Sequence, residues 1–551
     1  MKKLLSTVKK SATGIIVSAA LCFMLCIYAP IELFISNQSD FWFSINDLVF
    51  PAVLLFFICW VVLAAVLVLM RSRWEKGYNA AVFVLFSIQI ICYIQGNFLV
   101  SRLPSLEGAN VDWGHFGFGK ATSIALVIGV AGVMLLLWKI LKTVKLEKIV
   151  RFASGALGAL LVITFTTLCL TTDFYNKNNN LLVTDYNDFT YSNDKNLIVF
   201  VVDATDNNEF QKALERNPEY SDTFDDFTCF DDALAGYIYT RPSMPFILSG
   251  KWFENETAYE EYVPIALEES PLIEKIRAED YKAGFYSQGS FDMPKGFADV
   301  FENYIDDTPK FKNTFSAFSM LGKMSAIRYA PWDLKRFGYD AYGYSLSVMR
   351  ASSSSDYGGL KMNNLNFYGE LKDENPISVI DDKCVRIIHI DGAHIPFQYN
   401  KDVELDPNAT YSTNVDACLK ICDTYIERLK ESGVYDNSAI VIMGDHGFDI
   451  EQKSGLPRIN PFLLVKGIGE KHDSMVISDI PVTYEDMADA FCELMDGKDP
   501  ITVFDALKKE ERRFLYFGYR GEHDMEEYII NCKADEFDKM TPSGKRYKLN
   551  K

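Results

Sequence analysis

The sequence predicts a two-part fold, in which a five-helix N-terminal transmembrane domain precedes an α/β domain with a mainly parallel central sheet. Long apolar runs dominate the residues before Asp173, whereas the residues after it have an ordinary soluble composition. In this second part, strand-like apolar runs alternate with helical patterns, as in sheets whose strands are joined by helices. Several of these runs end in a cluster of polar residues, which is typical of an α/β binding site.

Five apolar runs are each close to the roughly 20 residues that are needed to cross a bilayer. One such run alone could be a buried core helix, but five in the first third of a 551-residue chain indicate an integral membrane protein. We therefore expect a transmembrane domain over residues 1–172. Its spans are expected at about residues 14–35, 48–70, 80–99, 122–138 and 152–171.

Basic residues are distributed unequally between the two ends of these spans. Twelve Lys and Arg precede the first span or lie between the second and third and between the fourth and fifth, whereas only Arg102 and Lys120 lie in the other loops. Because loops rich in Lys and Arg stay in the cytoplasm, we expect a cytoplasmic N-terminus. Everything after Thr172 is then extracytoplasmic, as in a multi-pass protein of the cell membrane.

The charge of the chain divides at the same point. The net charge is −19, but residues 1–172 contain 14 basic and 7 acidic side chains, so the remaining residues carry −26. Such an acidic domain excludes nucleic acid as a partner, and a lipid substrate would require a local pocket. Six of the 11 cysteines lie in this domain without the spacing of a disulfide framework, so disulfides are permitted but not required.

The predicted catalytic domain covers residues 196–551 and follows a polar, Asn-rich linker at residues 173–195. Three apolar runs in it, which begin at Asn196, Cys384 and Ala439, are predicted to be buried strands. Their ends are followed by Asp203, Asp391, His394, Asp445 and His446. Because ligands of α/β sheets bind beyond the carboxyl ends of the strands, we expect one shared site. An isolated Asp-His pair is more simply a turn with a solvated imidazole, but the repeated design favours zinc or manganese.

Two further segments bear on function. Thr240 precedes Pro242, which suits the first turn of a helix, so Thr240 is expected at or near the N-cap. A hydroxyl there, beside free backbone N–H groups and a cation, can attack phosphorus, although the segment alone is equally explained by a simple cap. Residues 308–366 interrupt the α/β pattern, and we interpret them as an insertion, either a substrate lid or a surface excursion.

Together these segments resemble the alkaline phosphatase and sulfatase superfamily. The resemblance is to its membrane branch: the lipoteichoic acid synthases, phosphoglycerol transferases and lipid A phosphoethanolamine transferases. The resemblance implies a sulfatase-like extracytoplasmic catalytic domain with one divalent metal ion, Mn2+ or Zn2+. It assigns the metal to Asp203, Thr240, Asp445 and His446, with Thr240 as the nucleophile. It places His394, in His-Ile-Pro-Phe, on the substrate side, where we expect Asp391 and Arg241 to assist in substrate binding.

The chain departs from this resemblance at two places. The membrane transferases usually carry Glu at the first metal position, and the shorter Asp203 would shift the metal or recruit Asp206. Sulfatases convert a Cys or Ser within Cys/Ser-x-Pro-x-Arg to formylglycine. Here that position is Thr240, and Met244 stands where the motif requires Arg, which argues against sulfate-ester hydrolysis.

The activity implied by the resemblance is transfer of a phosphoalcohol headgroup. The donor would be a phospholipid carrying phosphoglycerol or phosphoethanolamine, and the acceptor a cell-surface polymer or glycolipid. A phospho-Thr240 intermediate would connect the two half-reactions. Two alternatives stay open: a sulfatase-like or phosphodiester hydrolase that uses water as acceptor, and a catalytically silent regulator that binds lipid.

Overall fold

The computed structural model describes residues 2–36, 45–99, 117–141, 143–172, 182–287, 299–305, 310–311, 314–336, 351–352, 362–373, 376–448, 459–518 and 522–548. The chain divides into two compact units. The helical unit comprises Met1–Asn178 and Pro309–Ser352, and the sheet unit comprises Asn179–Thr308 and Ser353–Lys551.

The helices, in chain order, are α1 (Lys2–Lys10), α2 (Ala12–Phe23), α3 (Ala29–Ser36), α4 (Asn46–Arg73), α5 (Glu75–Phe98), α6 (Gly117–Ile140), α7 (Thr143–Thr171), α8 (Asn207–Arg216), α9 (Thr240–Ser249), α10 (Tyr259–Glu268), α11 (Pro271–Ala278), α12 (Thr314–Tyr329), α13 (Trp332–Lys335), α14 (Asn364–Leu371), α15 (Tyr411–Glu431), α16 (Met487–Met495) and α17 (Pro500–Leu507). A π-helical turn, Met24–Tyr28, joins α2 to α3.

The strands are β1 (Leu182–Val183), β2 (Thr190–Ser192), β3 (Asn196–Val202), β4 (Thr228–Phe230), β5 (Ala233–Leu234), β6 (Lys282–Ser287), β7 (Tyr304–Ile305), β8 (Lys310–Phe311), β9 (Ala351–Ser352), β10 (Ser378–Ile380), β11 (Cys384–Ile390), β12 (Ser438–Met443), β13 (Leu463–Lys466), β14 (Val476–Ser478), β15 (Val482–Thr483), β16 (Arg512–Gly518), β17 (Glu522–Ile530) and β18 (Thr541–Tyr547).

The helical unit contains the five apolar helices that the sequence predicts. Segments of sufficient length and hydropathy to cross a membrane are Ala12–Ser36, Leu48–Arg73, Glu75–Phe98, Gly117–Ile140 and Thr143–Thr171. Most of them extend beyond the apolar runs, because polar and basic residues such as Arg71 and Lys145 continue the helices. In the first segment Pro30 has no N–H to donate to the preceding turn, and the π-helical turn lies just before it.

Part of the predicted insertion belongs to the helical unit. Residues Pro309–Ser352 group with the apolar helices rather than with the sheet unit. The two ends of this segment meet, because β8 and β9 pair antiparallel with Lys310 opposite Ser352. The described residues between them form α12 and α13. Residues 308–309, 312–313, 337–350 and 353–361 of the predicted insertion lie outside the described residues, and its role as a lid stays a prediction.

The sheet unit is built on a seven-stranded sheet of order β14-β4-β13-β12-β3-β11-β6. Its strands β12, β3, β11 and β6 are parallel, which confirms the predicted α/β fold with a mainly parallel sheet. Strand β13 runs antiparallel to β12 and β4. A separate antiparallel sheet, β16-β17-β18, follows near the C-terminal end of the described residues.

Strand β3 shows why the sheet is buried on both sides. Its side chains alternate between two hydrophobic clusters, since successive residues of a strand point to opposite faces. Leu197, Val199 and Val201 face the cluster that contains Ile273 of α11 and Phe491 of α16. The intervening residues Ile198, Phe200 and Val202 face residues of α8, α14 and α15. The sheet therefore has helices on both faces, and the carboxyl ends of its parallel strands lie at the same edge.

Candidate metal centre

Two neighbouring strands bring the first pair of carboxylates together. Strands β3 and β12 are parallel and adjacent, with Val201 opposite Met443. Asp203 follows β3 directly, and Asp445 lies two residues beyond β12, so both project from the carboxyl edge of the sheet. Asp445 is completely buried and Asp203 is nearly so.

His446 completes a compact group of donor atoms with these two carboxylates. Its Nε2 atom lies 3.6 Å from Asp203 Oδ1 and 3.6 Å from Asp445 Oδ2. One donor atom from each of the three residues lies within 4.8 Å of the others. The Nδ1 atom of His446 lies 2.8 Å from the carbonyl oxygen of Gly447. A proton on Nδ1 donated to that carbonyl leaves the Nε2 lone pair directed at the carboxylates, the arrangement of a metal-binding histidine.

Thr240 joins this group from the N-terminus of α9. Its Oγ1 atom lies 3.3 Å from Asp203 Oδ1 and 3.4 Å from Asp203 Oδ2. The N-cap of the helix is Tyr239, so Thr240 is the first helical residue and Pro242 the third. The N–H groups of a first helical turn have no partner within the helix and attract anions. The hydroxyl of Thr240 thus lies between a carboxylate and an anion-binding helix end.

The loops around the site are held in strained or tightly packed conformations. Ala204 has a φ of 54°, in the left-handed region that residues with a side chain seldom adopt. Its N–H donates to Asp445 Oδ1 at 3.0 Å, and the N–H of His446 donates to the same oxygen at 2.9 Å. At Gly392, where φ is 55°, a Cβ atom would lie 2.3 Å from the backbone nitrogen of Asp203. Only glycine allows the loop after β11 to pass this close to Asp203.

The electrostatics of the site favour a bound cation. Burial and the repulsion of Asp445 raise the pKa of Asp203 well above its ordinary value. Burial also opposes ionisation of Asp445, but His446, His389 and the Ala204 N–H outweigh it and lower the pKa of Asp445. Among the described residues, no hydrogen-bond donor reaches the buried Asp445 Oδ2. Two close carboxylates with a free oxygen, an imidazole and a hydroxyl fit a divalent ion such as zinc or manganese.

The predicted substrate-binding residues lie around this group without joining it. His394 is exposed on the loop after β11, where its Nδ1 atom contacts the carbonyl oxygen of Ile395. Burial raises the pKa of the neighbouring Asp391 to about 6, an effect that His389 and His394 oppose. The exposed Arg241 places its guanidinium 4.3 Å from the centre of the Tyr259 ring. Asp206 caps α8 by accepting from the N–H of Asn208 at 3.0 Å, and it is not among the clustered donors.

One residue of the site escaped the sequence reasoning. His389 is the penultimate residue of β11, and its Nε2 atom lies 4.0 Å from Asp445 Oδ2. Its Nδ1 atom lies 3.5 Å from the hydroxyl of Ser287. Burial disfavours the charged imidazole, but the nearby carboxylates of Asp445 and Asp203 raise the pKa of His389. The available signal was a histidine near the end of a mostly apolar strand that also contains Arg386, a pattern equally typical of a core residue.

The fold and the site together define an α/β protein in which a group of potential metal ligands and a hydroxyl lie side by side at the carboxyl edge of the sheet. The sulfatase family model matches residues 195–479, more than half of the chain. The chain belongs to the sulfatase family. This match extends from β3, which carries Asp203, through β12 and the Asp445-His446 pair to β14.

The solved structures similar to this chain are distant. The chain is 14% identical to Ps i-CgsB, covering 61% of this chain and 82% of that one, with a TM-score of 0.39. The corresponding values for an alkaline phosphatase superfamily protein from Vibrio parahaemolyticus are 12%, 66%, 84% and 0.35. For the C-terminal periplasmic domain of EcEptC from Escherichia coli, in complex with Zn, they are 14%, 65%, 97% and 0.34. No curated protein matches the sequence.

Proposed function

We propose that this protein transfers a phosphoalcohol headgroup, phosphoglycerol or phosphoethanolamine, from a phospholipid to a cell-surface polymer or glycolipid. The observation that carries the proposal is the hydroxyl of Thr240, 3.3 Å from Asp203 at the start of α9. A sulfatase requires Cys or Ser at this position for conversion to formylglycine, whereas an unmodified threonine hydroxyl is a nucleophile suited to phosphorus.

In this proposal Asp203, Asp445, His446 and Thr240 hold one divalent cation, either Mn2+ or Zn2+. The ion supplies Lewis-acid chemistry that lowers the pKa of a bound hydroxyl and offsets phosphoryl charge. Asp203 accepts the hydrogen bond of Thr240 Oγ1, and a carboxylate at this distance can take the proton when the hydroxyl attacks. The N–H groups at the start of α9 bind the phosphoryl oxygens.

The reaction then proceeds in two displacements at phosphorus. In the first, the bond from Thr240 Oγ1 to phosphorus forms, the bond to the diacylglycerol oxygen breaks, and that oxygen leaves with a proton. In the second, a hydroxyl of the acceptor attacks phosphorus, the bond from phosphorus to Thr240 Oγ1 breaks, and the proton lost by the acceptor is replaced on Thr240 Oγ1 through Asp203. His394, Asp391 and Arg241 surround the two alcohols in this proposal, and His389 supports Asp445 from β11, on the other side of β3.

The proposed location is the cell membrane, crossed five times, with the sheet unit outside the cytoplasm. The support is the number of spanning-length helices and the 12 to 2 distribution of basic residues between their two ends. A phospholipid donor agrees with this location, because the substrate is then part of the membrane in which the enzyme resides. Nucleic acid is excluded by the charge of −26 after Thr172.

The test uses full-length protein in lipid nanodiscs that contain phospholipids with a labelled headgroup. The reaction is quenched with acid, and the peptide containing Thr240 is examined by mass spectrometry. A headgroup adduct on Thr240 together with label on an added glycolipid supports transfer. An adduct with label released only as free phosphoalcohol indicates the hydrolase alternative. No adduct and no turnover in metal-loaded protein indicates a silent regulator, and Thr240→Ala provides the control for adduct position.

A further inference from the structure

Helix α12 packs its apolar side against one end of the membrane-spanning helices. Phe318, Leu321 and Ile327 are buried in a single hydrophobic cluster with Phe34 of α3 and Leu48 of α4. The end of α3 and the start of α4 lie on the same side of the predicted membrane, namely the side opposite the basic loops. The insertion is therefore packed on the extracytoplasmic ends of the spans.

A charged pair fixes this contact. Arg328 Nη1 lies 3.0 Å and 2.8 Å from the two carboxylate oxygens of Glu32, and its Nε donates to the carbonyl oxygen of Gly96 at 2.8 Å. The Glu32 side chain is 13% exposed and that of Arg328 is 24% exposed. Glu32 is the only charged residue between Ala12 and Ser36. An unpaired carboxylate in a membrane span is energetically costly. Arg328 of the insertion supplies the countercharge for Glu32 of the first span.

Two aromatic residues of the insertion extend the contact to the third and fourth spans. The ring of Tyr329 lies so close to Gly96 that a Cβ atom there would be 2.3 Å away from it. Trp332 lies over Gly119 in the same way, since a Cβ atom at Gly119 would be 2.9 Å from its ring. The backbone N–H of Trp332 donates to Ser123 Oγ at 2.9 Å. Small residues on the spans thus admit large rings from the insertion, as in packed membrane helices.

Lys335 caps the C-terminal end of α12. Its buried Nζ donates to the carbonyl oxygens of Ile327 and Arg328, which have no partners within the helix. Burial lowers the pKa of Lys335 to about 8. The last turn of α12 is therefore satisfied without bulk water, which is necessary for a helix end in an apolar medium.

Other apolar side chains of the insertion are exposed among the described residues. Phe315 of α12 is 48% exposed and Leu334 of α13 is 54% exposed. Phe315 packs edge-to-face on Phe50 of α4, at 6.3 Å between ring centres, and Phe50 is itself 65% exposed. Phe118 at the start of α6 is also exposed. This exposed surface is thus continuous with the surfaces of α4 and α6 that face lipid.

We propose that α12 and α13 form a membrane-interface element that lies in the outer leaflet of the bilayer without crossing it. Phe315 and Leu334 insert among the lipid acyl chains and continue the lipid-facing surface of α4 and α6. The 16 residues of α12 are too few to span a bilayer and include Lys323 and Arg328. A short helix with exposed apolar side chains next to spanning helices instead fits a position in the plane of the interface. The inference rests on the membrane insertion in the proposed function, but not on its chemistry.

The test is photo-crosslinking of full-length protein in vesicles of phosphatidylglycerol and phosphatidylethanolamine with alkyne-tagged acyl chains. The photoreactive residue p-benzoylphenylalanine is placed at Phe315, and separately at Leu334, so that failure of one variant to fold leaves the other. The matched controls are Val133 on α6, 56% exposed in a predicted span, and Ile477 in the sheet unit, 55% exposed. Position 133 should acquire lipid after irradiation and position 477 should not.

A lipid yield at positions 315 and 334 that is comparable to the yield at 133 supports the proposal. If position 133 acquires lipid while 315 and 334 resemble 477, the insertion lies in water and the proposal is wrong. A crosslinked dimer at 315 in place of the lipid adduct also overturns it, because a second copy then covers the surface. Absence of lipid at position 133 overturns the five-span arrangement, and the interface element with it, but leaves the Thr240 chemistry to its own test.

Discussion

The backbone N–H of Ala204 donates to Asp445 Oδ1 at 3.0 Å, across 241 positions of the chain. This bond holds Ala204 at a φ of 54° and so fixes the turn that directs Asp203 into the site. Asp445 Oδ2, in contrast, receives no hydrogen bond from the described residues. One oxygen of Asp445 therefore has a structural role, and the other is available to a cation.

Replacement of Asp445 should separate these two roles. Asp445→Asn keeps an oxygen that can accept from Ala204 but loses the charge, so the protein should fold normally and lose its metal. Asp445→Ala also leaves the Ala204 N–H without an acceptor, which should cost a further ~1–3 kcal/mol. Elemental analysis and thermal unfolding of the full-length protein measure the two effects. Full metal content in the Asn variant would show that the cluster is not the metal site.

Thr240→Ala should reduce headgroup turnover by at least about 10²-fold, because the proposed covalent step requires the hydroxyl. The fold should be unaffected, since Tyr239 rather than Thr240 is the N-cap of α9. Thr240→Ser is the matched control and should retain adduct formation. Turnover is measured with labelled phospholipid, and folding by thermal unfolding. An active alanine variant with a normal melting temperature would exclude Thr240 as the nucleophile.

Stability should depend on pH through Asp188. Burial, with the charges of Glu370 and Asp185, raises the pKa of Asp188 from 3.8 to about 7. The folded state therefore retains a proton that the unfolded chain has lost, so the stabilisation is complete below about pH 4 and is lost as the pH rises through about 7. Thermal unfolding from pH 5 to pH 8 should show a smaller decrease for Asp188→Asn than for the unmodified protein. Asp194→Asn, at an exposed carboxylate, should leave the decrease unchanged.

The Glu32–Arg328 pair should contribute measurably to the stability of the helical unit. Glu32→Gln leaves Arg328 partly buried without its countercharge, which should cost more than ~1 kcal/mol. The double variant with Arg328→Gln should recover part of this loss. The exposed pair Lys120–Asp333 provides the control, because breaking it should cost less than ~1 kcal/mol. Equal effects of Glu32→Gln and Lys120→Gln on thermal unfolding in detergent would argue against a structural role for the first pair.

The topology has a simple test as well. A reporter that is active only in the cytoplasm should be silent when fused after Lys551 and active when fused before Met1. The physical reason is the excess of basic residues on one side of the spans. The reverse result at Lys551 would require a different number of crossings.

The features that sequence reasoning predicted are those encoded in short, continuous patterns. Strands β3, β11 and β12 are mostly apolar runs of six or seven residues; Asp203 follows β3 directly and Asp445 lies two residues beyond β12. The five spans are longer apolar runs and equally local. The orientation of β13 was not predictable, because an antiparallel neighbour has the same composition as a parallel one. His389 was missed because its partner Asp445 lies on another strand.

The location of α12 could not be read from the sequence for a related reason. Arg328 and Glu32 are 296 positions apart, and no local pattern links them. The composition of α12 does not distinguish it from other helices of the chain, and only the packing of its apolar side chains on α3 and α4 does. The grouping of the insertion with the N-terminal helices depends on contacts between distant parts of the chain, which no local pattern encodes.

The grouping of residues Pro309–Ser352 with the N-terminal helices has a practical consequence for proteolysis and for soluble fragments. The chain passes between the two units three times, so a single cut near residue 178 would not shed the sheet unit from the cell. A secreted fragment that begins at residue 179 would carry α12 with Phe318 and Leu321 stripped of their cover, and should aggregate. Because β8 and β9 bring the ends of the segment together, excising it and joining them through a short Gly-Ser bridge should yield a soluble fragment.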